Sequence, residues 1–118
     1  MKAITHVGTV LVPVKDQDAA LEFYVGTLGF EKRMDASFGD GMRWIEVAPR
    51  GATTSIALVP SPGTHEVSFA TDDAAAVHAE LLKRGVDADP ELLEIEFTPP
   101  MFTFRDPDGN AFRMVERG

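Results

Sequence analysis

A chain of 118 residues without a cysteine amounts to one domain, large enough to bury a core unaided, and it excludes disulfides, thiolate metal sites and cysteine nucleophiles. The formal net charge of -8 disfavours nucleic acid, because phosphate contacts need clustered Lys and Arg, and it favours, if anything, a cationic small molecule. The longest apolar runs, such as Val10-Leu11-Val12, are too short to cross a bilayer, and Met1-Lys-Ala-Ile-Thr-His has no signal-peptide character, so a soluble cytoplasmic protein without a membrane partner is expected.

In chain order, residues 4–14 alternate and are rich in β-branched side chains. They predict a strand with Val10, Val12 and Val14 on one face and Thr9, Leu11 and Pro13 on the other, Pro13 marking an edge or an end. Asp16 or Asp18 can cap a helix over 17–28. Its apolar positions Ala20, Leu21, Tyr24, Val25 and Leu28 recur at spacings of three and four, and Gly29 suits a left-handed C-terminal residue. Three strands are predicted next: Phe30 to Met34, Met42 to Val47 after a turn around Gly39-Asp40-Gly41, and Thr54 to Val59. Pro60-Ser-Pro-Gly63 ends this half.

The second half repeats that order. Glu66 to Thr71 predicts a strand, and Asp73 to Arg84 a helix stopped by Gly85. The stretch holding Pro90, Pro99 and Pro100 has room for at most one irregular strand. A hairpin follows, Phe102 to Arg105 and Ala111 to Glu116. The turn Asp106-Pro-Asp-Gly109 between them has the signature of a type I turn followed by a left-handed residue. Asp16 to Gly29 spans 13 residues, as does Asp72 to Gly85. One βαβββ unit is used twice: module one over 4–60 and module two over 64–117, an α+β fold with helices packed on one face of each sheet.

Asp16…Phe23-Tyr24…Leu28-Gly29-Phe30, then Asp72…Gly85, then Asp106-Pro107-Asp108-Gly109-Asn110 together resemble the vicinal oxygen chelate superfamily, which includes glyoxalase I, extradiol dioxygenases and bleomycin-resistance proteins. The resemblance implies curved mixed sheets enclosing a groove, with helices outside, within one chain or across a homodimer. In metal-dependent members four strands supply ligands to a divalent ion, which chelates neighbouring substrate oxygens. The matching positions here are Thr9, seven residues before Asp16; Ala57, in Ile56-Ala57-Leu58; Glu66, six before Asp72; and Arg113, after the Asp-Pro-Asp-Gly turn. One of the four is a ligand type. Arg113 is a permanent cation, and beside a dication at about 4 Å, with an effective dielectric of 20, it costs about 8 kcal/mol. The family's usual metal site is therefore expected to be absent, with no cofactor in its place.

Among the histidines, His6 and His65 have the wrong parity to face the groove, and His78 is expected to be solvated on the second helix. A rearranged metal site from His65, Glu66 and Glu116 is the alternative. Glu66 and Arg113 are expected to share the groove, either as a structural ion pair or as catalytic candidates, Glu66 moving a proton and Arg113 stabilising an anion. In Met42-Arg-Trp-Ile-Glu-Val47, Ile45 and Val47 suit the helix-facing core, so Met42, Trp44 and Glu46 point the other way. With Leu11, Ala57, Ser68 and Val115 they predict a mostly apolar ligand lining. The expected function is a metal-free binding protein that sequesters an aromatic or cationic compound, similar to bleomycin-resistance proteins. The alternatives are a glyoxalase- or dioxygenase-like lyase, isomerase or oxygenase with displaced ligands, or a cofactor-free enzyme using Glu66 and Arg113. Trp44 is hard to hide in so short a chain, which adds to the expectation of a homodimer.

Overall fold

A computed structural model of the chain describes residues 1–39 and 41–117. Among these residues, eight strands and two α-helices follow one another as β1 (Ile4–Val14), α1 (Gln17–Leu21), β2 (Glu31–Phe38), β3 (Met42–Ala48), β4 (Ser55–Pro60), β5 (Glu66–Thr71), α2 (Ala74–Lys83), β6 (Asp87–Ala88), β7 (Met101–Arg105) and β8 (Ala111–Glu116). The βαβββ order therefore occurs twice, in an α+β fold. Asp40, at the centre of the expected Gly39–Gly41 turn, lies outside the described residues.

Two units emerge from the pattern of contacts. One takes in Thr9–Glu66; the other takes in the first eight residues and the chain from Val67 onward. In the first, β1 lies parallel to β4, and β2, β3 and β4 are antiparallel neighbours. In the second, β5 lies parallel to β8, and β6, β7 and β8 are antiparallel neighbours. Both sheets are mixed, with their strands in the same order, so the internal repeat is structural as well as sequential.

Each helix begins on an aspartate. The Asp16 carboxylate accepts from the Ala19 N–H at 3.0 Å and that of Asp73 from the Ala76 N–H at 3.0 Å, so each satisfies a donor left open by the first turn. The second cap is Asp73 rather than Asp72. The 13-residue correspondence is thus one residue out at the start of the helix, although it holds at the end. There Gly29 and Gly85 adopt φ of 77° and 78°, the left-handed conformation that costs a side-chain-bearing residue about 1–2 kcal/mol.

The first helix departs from its expected form. After Leu21 it widens into a π-helix over Glu22–Thr27, and the Leu28 N–H bonds to the Phe23 carbonyl five residues back, at 3.0 Å. A wider turn breaks the 3.6-residue phase. Ala20, Leu21, Tyr24 and Val25 still pack on the sheet, but Leu28 is turned out and is 48% exposed. Gln17 ties the helix to the sheet, donating Nε2 to the carbonyls of Arg43 (3.0 Å) and Leu58 (2.9 Å).

The core of the first unit is Ile45, Val47 and Leu58 under that helix; the core of the second is Val77, Leu81, Phe102 and Met114. Leu58 is fully buried, and a buried leucine is worth about 2–5 kcal/mol against alanine. The final hairpin turn closes as expected. Asp106 Oδ1 accepts from the N–H groups of Asp108 (3.0 Å) and Asn110 (2.9 Å), Asn110 Nδ2 donates to Oδ2 at 2.8 Å, and Gly109 has φ 86°. The Asn110 side chain first, and these N–H groups with it, hold the Asp106 carboxyl below the usual carboxylate range. Among the described residues no helix is long and apolar enough to cross a membrane.

Candidate functional site

In the first unit, strand register decides which side chains share the sheet face away from α1. Glu46 lies opposite Ala57 on one side and Met34 on the other, and Ala57 lies opposite Leu11. One row across the sheet therefore reads Met34, Glu46, Ala57, Leu11. Trp44 pairs with Ala36, Met42 with Phe38 and Thr9 with Ser55, and all share this parity. Ile45 and Val47 point oppositely, into the core, as the sequence predicts.

At the centre of this face sits a buried carboxylate. Glu46 is 4% exposed; the Trp44 indole N–H donates to its Oε2 at 2.6 Å and the Ser55 hydroxyl to its Oε1 at 2.6 Å. Both bonds are short, and together they fix the orientation of the carboxylate. Thr9, Ser55 and Ala57 are likewise buried, whereas Met34, Phe38 and Met42 are 43%, 50% and 64% exposed. The face thus grades from a polar, hydrogen-bonded centre to an open apolar margin. Ser55 was not among the expected site residues, although it shares the parity of Ala57; its role depends on the β3–β4 register.

Arg43, between Met42 and Trp44, points the other way and braces the sheet. It bonds Asp35 through Nε (2.8 Å) and Nη2 (2.9 Å), and Asp18 through Nη1 (2.7 Å). The Arg43 hydrogen bond holds the Asp35 carboxyl below its ordinary range, while Asp35 and Asp18 raise the guanidinium further above its own.

In the second unit, Ser68 pairs with Arg113, Arg113 with Thr103, and Val115 with Met101. Phe69, Phe102, Phe104 and Met114 take the opposite parity, in the α2-facing core. Arg113 Nη1 points at the Met101 sulfur, 3.9 Å away. Beside these residues is a cavity of about 360 Å³, lined by Met101, Thr103 and Arg113 and walled by Asp89–Leu93. Glu66 is half-buried at the start of β5 and His65 is exposed just before it. His6 shares a 3.0 Å hydrogen bond with Thr5 Oγ1.

The expectation that His78 is solvated is corrected. It is 8% exposed, its ring packs on Phe102 at 4.8 Å between centroids, and its Nε2 lies 2.7 Å from the Asp89 carbonyl oxygen. The helical spacing that buries Ala74, Val77 and Leu81 carries His78 inward with them.

The four positions where the resemblance places metal ligands hold Thr9, Ala57, Glu66 and Arg113. Ala57 offers no donor atom and Arg113 offers only a positive charge, so this set does not fit a divalent ion. Among the described residues no three His, Asp or Glu side chains gather in another arrangement that could hold one. Nor does any buried side-chain nitrogen or oxygen among them lack a hydrogen-bond partner.

The sequence model of the glyoxalase/bleomycin resistance protein/dioxygenase superfamily matches residues 3–114. The Bacillus subtilis (strain 168) protein YetH, itself uncharacterized, is 31% identical over 120 residues, covering 96% of this chain and 99% of its own. The crystal structure of methylmalonyl-CoA epimerase from Mycobacterium tuberculosis superposes with a TM-score of 0.79 over 98% of this chain and 90% of its own. At 20% identity that likeness concerns the fold alone. TnmS3, an antibiotic binding protein from Streptomyces sp. CB03234, is 38% identical over 98% of both chains, with a TM-score of 0.46.

Proposed function

The chain belongs to the glyoxalase/bleomycin resistance protein/dioxygenase superfamily, and from that premise we propose that it is a metal-free small-molecule-binding protein that sequesters an aromatic or cationic ligand. One observation carries the reading: the buried Glu46 carboxylate, held by Trp44 and Ser55, at the centre of an apolar sheet face. A carboxylate anchored this way serves a ligand cation at little reorganisation cost. The Trp44 ring beside it offers a flat, polarisable surface to an aromatic or cationic group. Met34 and Met42 add flexible walls that adapt to varied shapes.

The replacement of ligand-type side chains supports the metal-free part of the reading. Ala57, directly opposite Glu46, leaves room on the sheet where the family's metal-dependent members carry a ligand. The acidic balance of the chain supports the charge preference. The exposed Met34, Phe38 and Met42 form the kind of apolar margin that a second copy of the chain covers, so the working form is proposed to be a homodimer in the cytoplasm.

The test is a thermal-shift screen in chelator, with aromatic amines, neutral aromatics and aliphatic amines, alongside light scattering at micromolar concentration. The reading expects aromatic or cationic compounds to raise Tm by mass action and the scattering mass of a dimer. A protein that answers to none of these classes, or responds only after divalent metal is added, would contradict it.

A further inference from the structure

The cavity of the second unit is rigidly built. Its wall, Asp89–Leu93, is tied down at both ends. At the first end, the Asp89 N–H donates to the Thr103 carbonyl at 2.9 Å and Arg105 Nη2 donates to the Asp89 carboxylate at 2.7 Å. At the other, Leu93 and Met101 exchange backbone hydrogen bonds of 2.8 and 3.1 Å. A third tie comes from α2, where His78 Nε2 meets the Asp89 carbonyl oxygen at 2.7 Å. A carbonyl oxygen only accepts, so Nε2 carries the proton and donates it. Asp89, which His78 bonds, and Phe102, on which its ring packs, both line the cavity.

We propose that this cavity is a preformed binding site for a small apolar carboxylate, and that His78 is the residue that positions its wall. The volume of about 360 Å³ lies within the range of small-molecule pockets. Leu92, Leu93 and Met101 suit an apolar or aromatic body, the Met101 sulfur being a favourable neighbour for a ring. Arg113 supplies the positive charge and the planar fork that matches a carboxylate. It has polar contacts of its own, and five N–H donors allow a carboxylate to join them. Of the acids on the wall, Asp89 is already paired with Arg105, and Glu91 is exposed. Arg113 is the group of this lining assigned to the ligand's charge, so an acid is expected to bind in preference to an amine. The inference rests on the reading of the chain as a small-molecule binder and adds, beside the Glu46 face, a second site that takes an aromatic or other apolar acid.

The experiment uses the full chain labelled with ¹³C-methyl methionine, with the Met101 signal identified by its loss in Met101→Leu, titrated with benzoate, benzylamine and benzyl alcohol. Benzoate is expected to move the Met101 signal and to bind at least about tenfold more tightly than the other two, the scale of one charge-assisted contact. Arg113→Lys, which keeps the charge but loses the fork, should weaken benzoate about tenfold. His78→Leu should weaken it by a similar factor, and His78→Gln, which restores a donor toward Asp89, should recover affinity to within about twofold. A role confined to stability would lower Tm in both His78 variants without separating their affinities, and that result would overturn the positioning role. Tighter binding of benzylamine at Met101 would overturn the acid preference while leaving the small-molecule reading intact. An unmoved Met101 signal would overturn the site itself, and silence from both Met101 and the wider compound screen would count against the small-molecule reading too.

Discussion

Replacing Ser55 by alanine removes a short hydrogen bond to the buried Glu46 carboxylate. Ser55 is 5% exposed and Glu46 4%, and their bond of 2.6 Å is nearly free of water screening. Hydrogen bonds to charged groups contribute about 1.5–3 kcal/mol, and the small apolar gain from losing a hydroxyl does not offset that. For a chain of this length each kcal/mol corresponds to about 4 °C in Tm, so Ser55→Ala should lower Tm by about 6–12 °C. Urea unfolding supplies the free energy directly, with an unchanged m-value showing that only stability has moved. A double-mutant cycle with Glu46→Gln isolates the contact, and a coupling of about 1 kcal/mol or more is expected. Ser37, exposed on β2, serves as control, since its alanine variant should stay within about 0.5 kcal/mol of the parent. A Ser55→Ala loss no larger than the control's, or a coupling near zero, would refute the idea that these donors hold the carboxylate.

Gly85→Ala should cost about 1–2 kcal/mol in urea unfolding, all of it from backbone strain, because its φ is 78° and nothing lies within 4 Å of an added Cβ; Gly85→Asn should cost less, asparagine tolerating this region better. Acid should destabilise the fold in a defined window. The Asp35 and Asp106 carboxyls are held below their ordinary value of 3.8, so the unfolded chain takes up protons first as pH falls. Their stabilisation is complete above the unfolded value and is lost as pH drops below 3.8 toward the folded values. Asp106→Asn, which does not titrate, should show a smaller stability loss between neutral pH and pH of about 3, and an undiminished loss would assign the acid sensitivity elsewhere.

How much of this was legible in the sequence depended on how local the cause is. Gly29 and Gly85 end their helices as their residue type dictates, and the hairpin turn at Asp106–Gly109 could be read from four adjacent residues. Period two sufficed to separate Trp44 and Glu46 from Ile45 and Val47. The Ser55–Glu46 bond was not legible, because it depends on the pairing of β3 with β4, across the turn between them. His78 was misjudged as a polar residue on a surface helix, although the spacing of Val77 and Leu81 already pointed inward. The π-helical turn that exposes Leu28 left no mark in the residue pattern. The cavity wall at Asp89–Leu93 has no periodicity at all; its place is set by the distant partners Thr103, Met101 and His78.

The central claim is that the chain binds its ligand through Glu46 and Trp44 without a metal. Because Trp44 is the single tryptophan, its fluorescence reports on that face alone. The most direct measurement is a titration of this signal with an aromatic amine, run in parallel on chelator-treated protein and on protein supplied with nickel, zinc, iron or manganese, with metal content determined in both. The account predicts quenching with the same Kd in each, substoichiometric metal, and a Kd raised about tenfold or more in Glu46→Gln. Stoichiometric metal in the purified protein, with binding abolished by chelator and indifferent to Glu46→Gln, would contradict it.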